Sequence, residues 1–111
     1  MKFDKGLVAG SSTLLVLSLL EKEDMYGYEM IEELSRRSNH TFEMKEGTLY
    51  PILHGLERDK YLQSYGQTAP NGRERRYYRL TRRGRELLGE KKEEWSRFQT
   101  GVENVLAAAR A

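Results

Sequence analysis

The 111 residues contain no cysteine, which removes disulfide staples, thiolate zinc sites and cysteine nucleophiles at once and suits a reducing cytoplasm. Histidine is nearly as scarce. Neither His40 nor His54 has companions at metal-ligand spacing, so no metal is expected. Long apolar runs are also missing: the longest, Leu14–Leu20, has Ser18 inside it, far short of the roughly 20 residues that cross a bilayer. The N-terminus lacks the charged-then-apolar pattern and small-residue cleavage site of a secretory signal. A soluble cytoplasmic chain with no membrane partner is the expectation. No glycine loop built to cradle phosphates occurs, and no nucleophile, base and orienter stand at recognisable spacing. Neither an enzyme nor a cofactor is expected. The length allows one domain around one core.

Charge is unevenly spread. Lys45 to Arg85 holds ten basic and four acidic residues, a local +6 within a chain whose net charge is only +2. Such a concentration attracts polyanions more strongly than the total suggests. From charge alone, a merely solvated face is the competing reading.

The stretch Lys45 to Leu62, KEGTLYPILHGLERDKYL, supplies the missing pattern. Leu49, Ile52, Leu53 and Leu56 recur at helical spacing and share one side. At about 100° per residue, Gly47, Pro51, His54 and Arg58 fall opposite, with Thr48, Tyr50 and Gly55 beside them. Two outward glycines each cost roughly 1 kcal/mol relative to alanine, a cost that makes sense if another surface approaches the backbone. Pro51 crowds the carbonyl four residues back. A long helix over about 46–59 with a local distortion, eased by Gly47, is favoured over a helix starting at Pro51.

In chain order, Met1 to Lys5 reads as a loose arm. Leu7 to Leu20 reads as a leucine-rich helix, apolar on nearly all sides with Leu7, Val8, Leu14 and Leu17 among them, which needs cover from two directions. Asp24 is a candidate N-cap for a helix reaching about Arg37, with Tyr26, Met30, Ile31 and Leu34 buried and Gly27 permitting close packing. Ser38 to Thr41 breaks the pattern, and a short extended piece follows at Phe42 to Met44. Leu62 to Gln67 and Arg75 to Leu80 read as strands joined through Pro70 and Asn71-Gly72, a hairpin rich in arginine. Thr81 caps a last helix running almost to Ala111. Leu88, Trp95 and Val102 recur every seven residues, Phe98 and Val105 sit three beyond the latter two, and Lys91 interrupts. Over about 42 Å such a stripe outruns its own domain and pairs most simply with a second copy.

Helix, helix, turn, helix, hairpin is the order of a winged helix-turn-helix. The third helix enters the major groove, and the wing, about 62–80, reaches the flanking backbone or minor groove. The fold class is therefore mainly α with a small β-hairpin: a winged helix-turn-helix over 1–81 and a C-terminal dimerisation helix over 82–111 packed with the N-terminal helix. Tyr26-Gly27-Tyr28-Glu29, Glu46-Gly47-Thr48-Leu49-Tyr50-Pro51-Ile52-Leu53, Leu56-Glu57 and the run from Arg75 to Gly84 resemble the signature blocks of PadR-type transcriptional regulators. The resemblance covers roughly 10–106. It implies a homodimeric repressor on a pseudo-palindromic double-stranded operator, often autoregulating or controlling an efflux or detoxification gene. The single C-terminal helix is similar to the compact, drug-responsive subfamily.

Physical roles stand beside that resemblance. Thr48, Tyr50 and His54 offer hydrogen bonds to phosphates or base edges, and Arg58 is long enough to reach backbone. Lys45 adds charge where many relatives carry a capping Ser or Asn. Gly47 and Pro51 complete the thin face, and Arg73, Arg75 and Arg76 are the wing contacts. Tyr77, Tyr78 and Leu80 read as packing residues. Leu14, Leu17, Leu88, Trp95, Phe98, Val102 and Val105 are the expected dimer interface. In drug-responsive relatives a tryptophan matching Trp95 meets its symmetry mate, and flat ligands stack between the rings. The resemblance thus implies a small aromatic effector at Trp95, with Leu7 and Leu14 lining the space; Lys92 and Gln99 stand where some relatives carry an aromatic and an acid. A purely structural interface tryptophan is the other reading. The competing function class is a winged-helix protein-interaction module without specific DNA binding.

Overall fold

A computed structural model describes residues 5–110. The expected arm over Met1 to Lys5 lies outside them except for Lys5, and so does the side chain of Val8. The elements are α1 (Lys5–Leu19), β1 (Met25–Tyr26), α2 (Gly27–Arg37), α3 (Glu46–Arg58), β2 (Leu62–Thr68), β3 (Glu74–Leu80) and α4 (Arg82–Arg110). Four helices thus surround a small antiparallel sheet of order β1-β3-β2, the winged helix-turn-helix that the element order predicts.

The core forms where the C-terminal half of α1 meets the other elements. Val16, Leu17, Leu19 and Leu20 are buried with Met30 and Leu34 of α2, Leu49, Leu53 and Leu56 of α3, and Leu62, Tyr78 and Leu80 of the sheet. In α2, acidic Glu29 in the first turn and Arg36 and Arg37 in the last oppose the ends of the helix dipole. The helix stops at Ser38, whose hydroxyl donates back to the Leu34 carbonyl at 2.7 Å. Asn39 and His40 follow with φ of 52° and 63°.

Asp24 does not cap α2. The helix begins later, behind Tyr26, whose backbone N–H donates to the Glu29 carboxylate at 3.1 Å. Asp24 is diverted because Met25 and Tyr26 extend into a third strand that the hydrophobic pattern did not reveal, pairing with Tyr78 and Tyr77 of β3. Two residues are too few to show an alternation. Gly27 is needed for close approach: a Cβ there would lie 2.5 Å from the Tyr50 hydroxyl oxygen.

The hairpin pairs Leu62 with Leu80 and Tyr65 with Tyr77. Its turn closes by Gly72 N–H to the Ala69 carbonyl at 2.9 Å, with Gly72 at a φ of 86° that glycine adopts without steric cost. Tyr78 and Leu80 face the core. On the opposite sheet face Tyr77 lies between Tyr26 and Tyr65, with ring centroids 5.4 Å and 5.8 Å away. Thr81 caps α4 as expected, its Oγ1 accepting from the Gly84 N–H at 3.0 Å. Gly84 itself is pressed against the Tyr61 carbonyl, so no side chain fits there. At 29 residues, α4 is about 43 Å long, which stretches the molecule to 58 × 31 × 21 Å.

Leu17 and Leu88 are corrected as dimer-interface residues. They are 0% and 3% exposed in the single chain, so both belong to its own core and have almost no area left for a partner. The heptad count alone cannot distinguish a turn of α4 that packs on α1 from one that projects beyond it.

The Tyr65 hydroxyl donates to Asp24 Oδ2 at 2.5 Å, and this bond, aided by burial, pushes the phenol up to about 12. A raised pKa means that the folded state holds the proton more tightly. The stabilisation is then complete below the ordinary value near 10 and disappears as pH rises through about 12. Tyr65→Phe is expected to be less stable than the parent by about 1 kcal/mol near neutral pH, with the difference vanishing toward about pH 12; urea midpoints across pH measure it, and a pH-independent difference contradicts the assignment.

Candidate nucleic-acid interface

Burial of Leu49, Leu53 and Leu56 turns the other side of α3 to solvent. Lys45, Gly47, Thr48, Pro51, His54 and Arg58 are exposed, as their helical positions require. Pro51 sits inside the helix, which runs on from Glu46. A Cβ at Gly47 would meet nothing within 4 Å, so the backbone there is open to an approaching surface. Tyr50 stands apart from this set. Its ring is half-buried over Gly27, and its centroid lies 6.1 Å from that of His54. In this position it supports the imidazole and joins α3 to α2. Arg58 is exposed, with its Nε 3.5 Å from Asp59 Oδ1, a surface pair that yields readily to a phosphate.

The wing is tied to α3 by a polar chain. Arg76 donates to the Ser64 hydroxyl at 3.2 Å, and Ser64 donates in turn to the Glu57 carboxylate in the last turn of α3. Arg73 is exposed in the strand connection. Arg75 is placed differently: its guanidinium lies over the Tyr26 ring, 5.5 Å from the centroid, and its Nε is buried without a hydrogen-bond partner. Arg79 lies over Tyr65 in the same manner at 5.8 Å. The three wing arginines therefore divide into two open to solvent and one laid on the tyrosine face.

Tyr28 is a candidate that the sequence reading passed over. It is 55% exposed at the start of α2, with its hydroxyl open to solvent beside α3. A hydrogen bond to Glu32 pushes its phenol up, and the charge of Glu46 at the start of α3 adds to this. The available signal was its place in the Tyr26-Gly27-Tyr28-Glu29 block, one position beyond a glycine that closes on α3.

Along α4 the stripe emerges from the core. Trp95 is 43% exposed, and Phe98, Val102, Val105 and Leu106 are also exposed. Trp95 stacks on Phe98 at 6.2 Å. Between α1 and α4 lies a groove of about 270 Å³ lined by Gly6, Leu7, Gly10, Ser11, Leu14, Lys91, Glu94, Trp95 and Phe98. Leu7, Leu14 and Trp95 thus come together as the sequence suggested. Lys92 and Gln99 do not join them. Lys92 turns to the end of α1, where its ammonium lies 2.9 Å from both Glu21 carboxylate oxygens. Gln99 is exposed outside the groove, and Lys91 and Glu94 are the charged residues at its wall. The phase of α4 on α1 decides this, and a one-residue step turns a side chain by about 100°. Among the described residues, no group of His, Cys, Asp and Glu could hold a metal, and no helix is long and apolar enough to cross a membrane.

A transcriptional regulator of Mycobacterium tuberculosis is 42% identical over 77 residues, covering 69% of this chain and 68% of its own. The solved structure of a Clostridium thermocellum transcriptional regulator matches with a TM-score of 0.82 at 30% identity, covering 90% of this chain and 97% of that one. Bacillus subtilis PadR, solved in complex with operator DNA, shares the fold at a TM-score of 0.63 and 22% identity, over 71% of this chain and 45% of that one. The model of the transcriptional regulator PadR-like family matches residues 16–90, which run from the buried end of α1 through α3 and the wing into α4. With its helix-turn-helix, its wing and the start of its last helix all inside that match, the chain belongs to the PadR-like family of transcriptional regulators, which are not enzymes.

Proposed function

We propose that the chain acts as a homodimeric, sequence-specific DNA-binding repressor, with α3 in the major groove and the β2–β3 wing on the flanking backbone or minor groove. The observation that carries this reading is the exposed, thin-sided face of α3, joined through Glu57 and Ser64 to the wing that carries Arg76. The +6 charge of 45–85 surrounds that pair, and the operator complex of Bacillus subtilis PadR supports it by analogy of fold. Lys45, Thr48, His54 and Arg58 supply contacts from α3. Arg73 and Arg76 supply them from the wing, and Tyr50 and Arg75 hold the neighbouring elements in place. Tyr28 adds a phosphate contact from α2.

Dimerisation follows from the stripe on α4. Phe98, Val102, Val105 and Leu106 lie beyond the reach of their own core, and a second copy buries them while presenting two α3 helices to half-sites about 34 Å apart. The chain then divides by role into a DNA-binding part, 1–81, and a dimerisation helix, 82–111. The groove beside Trp95 takes a small planar aromatic effector, and its occupation releases the DNA.

A gel shift on the gene's own upstream region should give a saturable complex, and nuclease protection of that complex should give a pseudo-palindromic footprint. The slope of log K against log salt should flatten by about 1.8 in Arg73→Ala with Arg76→Ala, about 0.9 for each lost phosphate. An unchanged slope removes the wing from the interface, and no salt-sensitive binding at all favours a protein-interaction module. In sedimentation the parent should run as two chains and Phe98→Asp with Val102→Asp as one; a monomeric parent rules out the dimer. Trp95 is the only tryptophan, so saturable quenching by planar aromatic compounds reports directly on the groove. The same compounds should weaken DNA binding, whereas absence of quenching across a broad panel leaves Trp95 as an interface residue only.

A further inference from the structure

The connection between α1 and β1 is held at its two ends by different elements. At Glu21, the carboxylate accepts from Lys92 of α4 at 2.9 Å on both oxygens, and the backbone carbonyl accepts from Arg85, also of α4, at 3.2 Å. Arg85 and Lys92 are seven residues apart and so lie on one side of that helix. At Asp24, the carboxylate accepts from Tyr65 of β2 at 2.5 Å across 41 residues of sequence. Directly after it the chain enters β1 and pairs with β3. Only Lys22 and Glu23 separate the two holds, so both act on one short segment.

We propose that the segment from Glu21 to Asp24 is a strap through which α4 sets the angle of the wing, with Glu21 and Asp24 as its positioning residues. A displacement of α4 is delivered at Glu21 and passed to Tyr65 at Asp24, and to β3 through β1. The strap meets α4 one residue from Lys91, which lines the groove beside Trp95. A change in the seat of α4 at that level therefore reaches the strap directly. What the wing contacts rests on the DNA-binding reading above; the strap itself rests only on these hydrogen bonds.

Native-state hydrogen exchange on the full chain, without DNA, tests the strap. The readout is the amides of β2 from Ser64 to Thr68, some distance along the chain from any substituted residue. Lys92→Gln should speed their exchange about two- to fivefold, the range that loss of a half-exposed ion pair allows. Asp24→Ala should do the same. Asp24→Asn should stay near the parent, because its amide oxygen still accepts from the Tyr65 hydroxyl. Arg97→Gln, which breaks a pair with Glu93 confined to α4, should leave β2 unchanged. Unaltered β2 exchange in Lys92→Gln overturns the proposal, and so does equal acceleration in Arg97→Gln, which would mean general loosening. Since no DNA enters the measurement, a chain that fails to bind an operator overturns the functional reading and not this one.

Discussion

Burial of Leu49, Leu53 and Leu56 against α1 and α2 fixes the roll of α3 about its own axis. A helix has one free rotation once its axis is placed, and three leucines on one side leave a single roll that removes them all from water. That roll alone carries Gly47, Pro51, His54 and Arg58 outward. The polar face is thus set by apolar packing, and the residues that would touch DNA need no mutual contacts to be correctly aimed. Tyr50 shows the boundary of this arrangement. It lies close enough to the buried side for its ring to settle over Gly27, which has no Cβ to obstruct it.

The wing depends on weaker and more scattered restraints. Its inner face is held by Tyr78 and Leu80 in the core, while its outer face is covered by Tyr26, Tyr77 and Tyr65 with Arg75 and Arg79 laid over the rings. Stacking and cation–π contacts of this sort contribute about 0.5–1.5 kcal/mol each, enough in combination to keep a short hairpin in one orientation. The Glu57–Ser64–Arg76 chain fixes it to α3, and Asp24 fixes it to the α1–β1 connection. Arginines within six positions of one another therefore do different work: Arg75 and Arg79 stiffen the ribbon, and Arg73 and Arg76 remain available to solvent.

The last helix follows a simpler rule. Its first turns, through Leu88, are absorbed by the core, and the rest continues into solvent because hydrogen bonding within the helix is satisfied locally whether or not anything packs against it. The apolar stripe of Trp95, Phe98, Val102, Val105 and Leu106 therefore stays exposed in the single chain. The groove next to Trp95 lies between α1 and α4 just past that boundary.

Much of this was legible in the sequence. Helical spacing in 46–58 determined that Leu49, Leu53 and Leu56 would be buried and Gly47, Pro51, His54 and Arg58 exposed, whereas Ile52 and Tyr50 both end half-buried. The Asn71-Gly72 turn and the alternation around it determined the hairpin, and Thr81 determined the start of α4. Each is a local signal, written in side-chain chemistry within a few residues. Tertiary structure alone decided that Asp24 would serve Tyr65 and not α2, that Met25 and Tyr26 would become a strand, and that Arg75 would lie over Tyr26. It also decided that Leu17 and Leu88 would belong to one chain's core, and that Lys92 would face Glu21 while Lys91 faced the groove. These outcomes rest on partners far away in sequence and on the phase of one helix against another, and a periodic pattern records that a side must be buried without recording which neighbour will bury it.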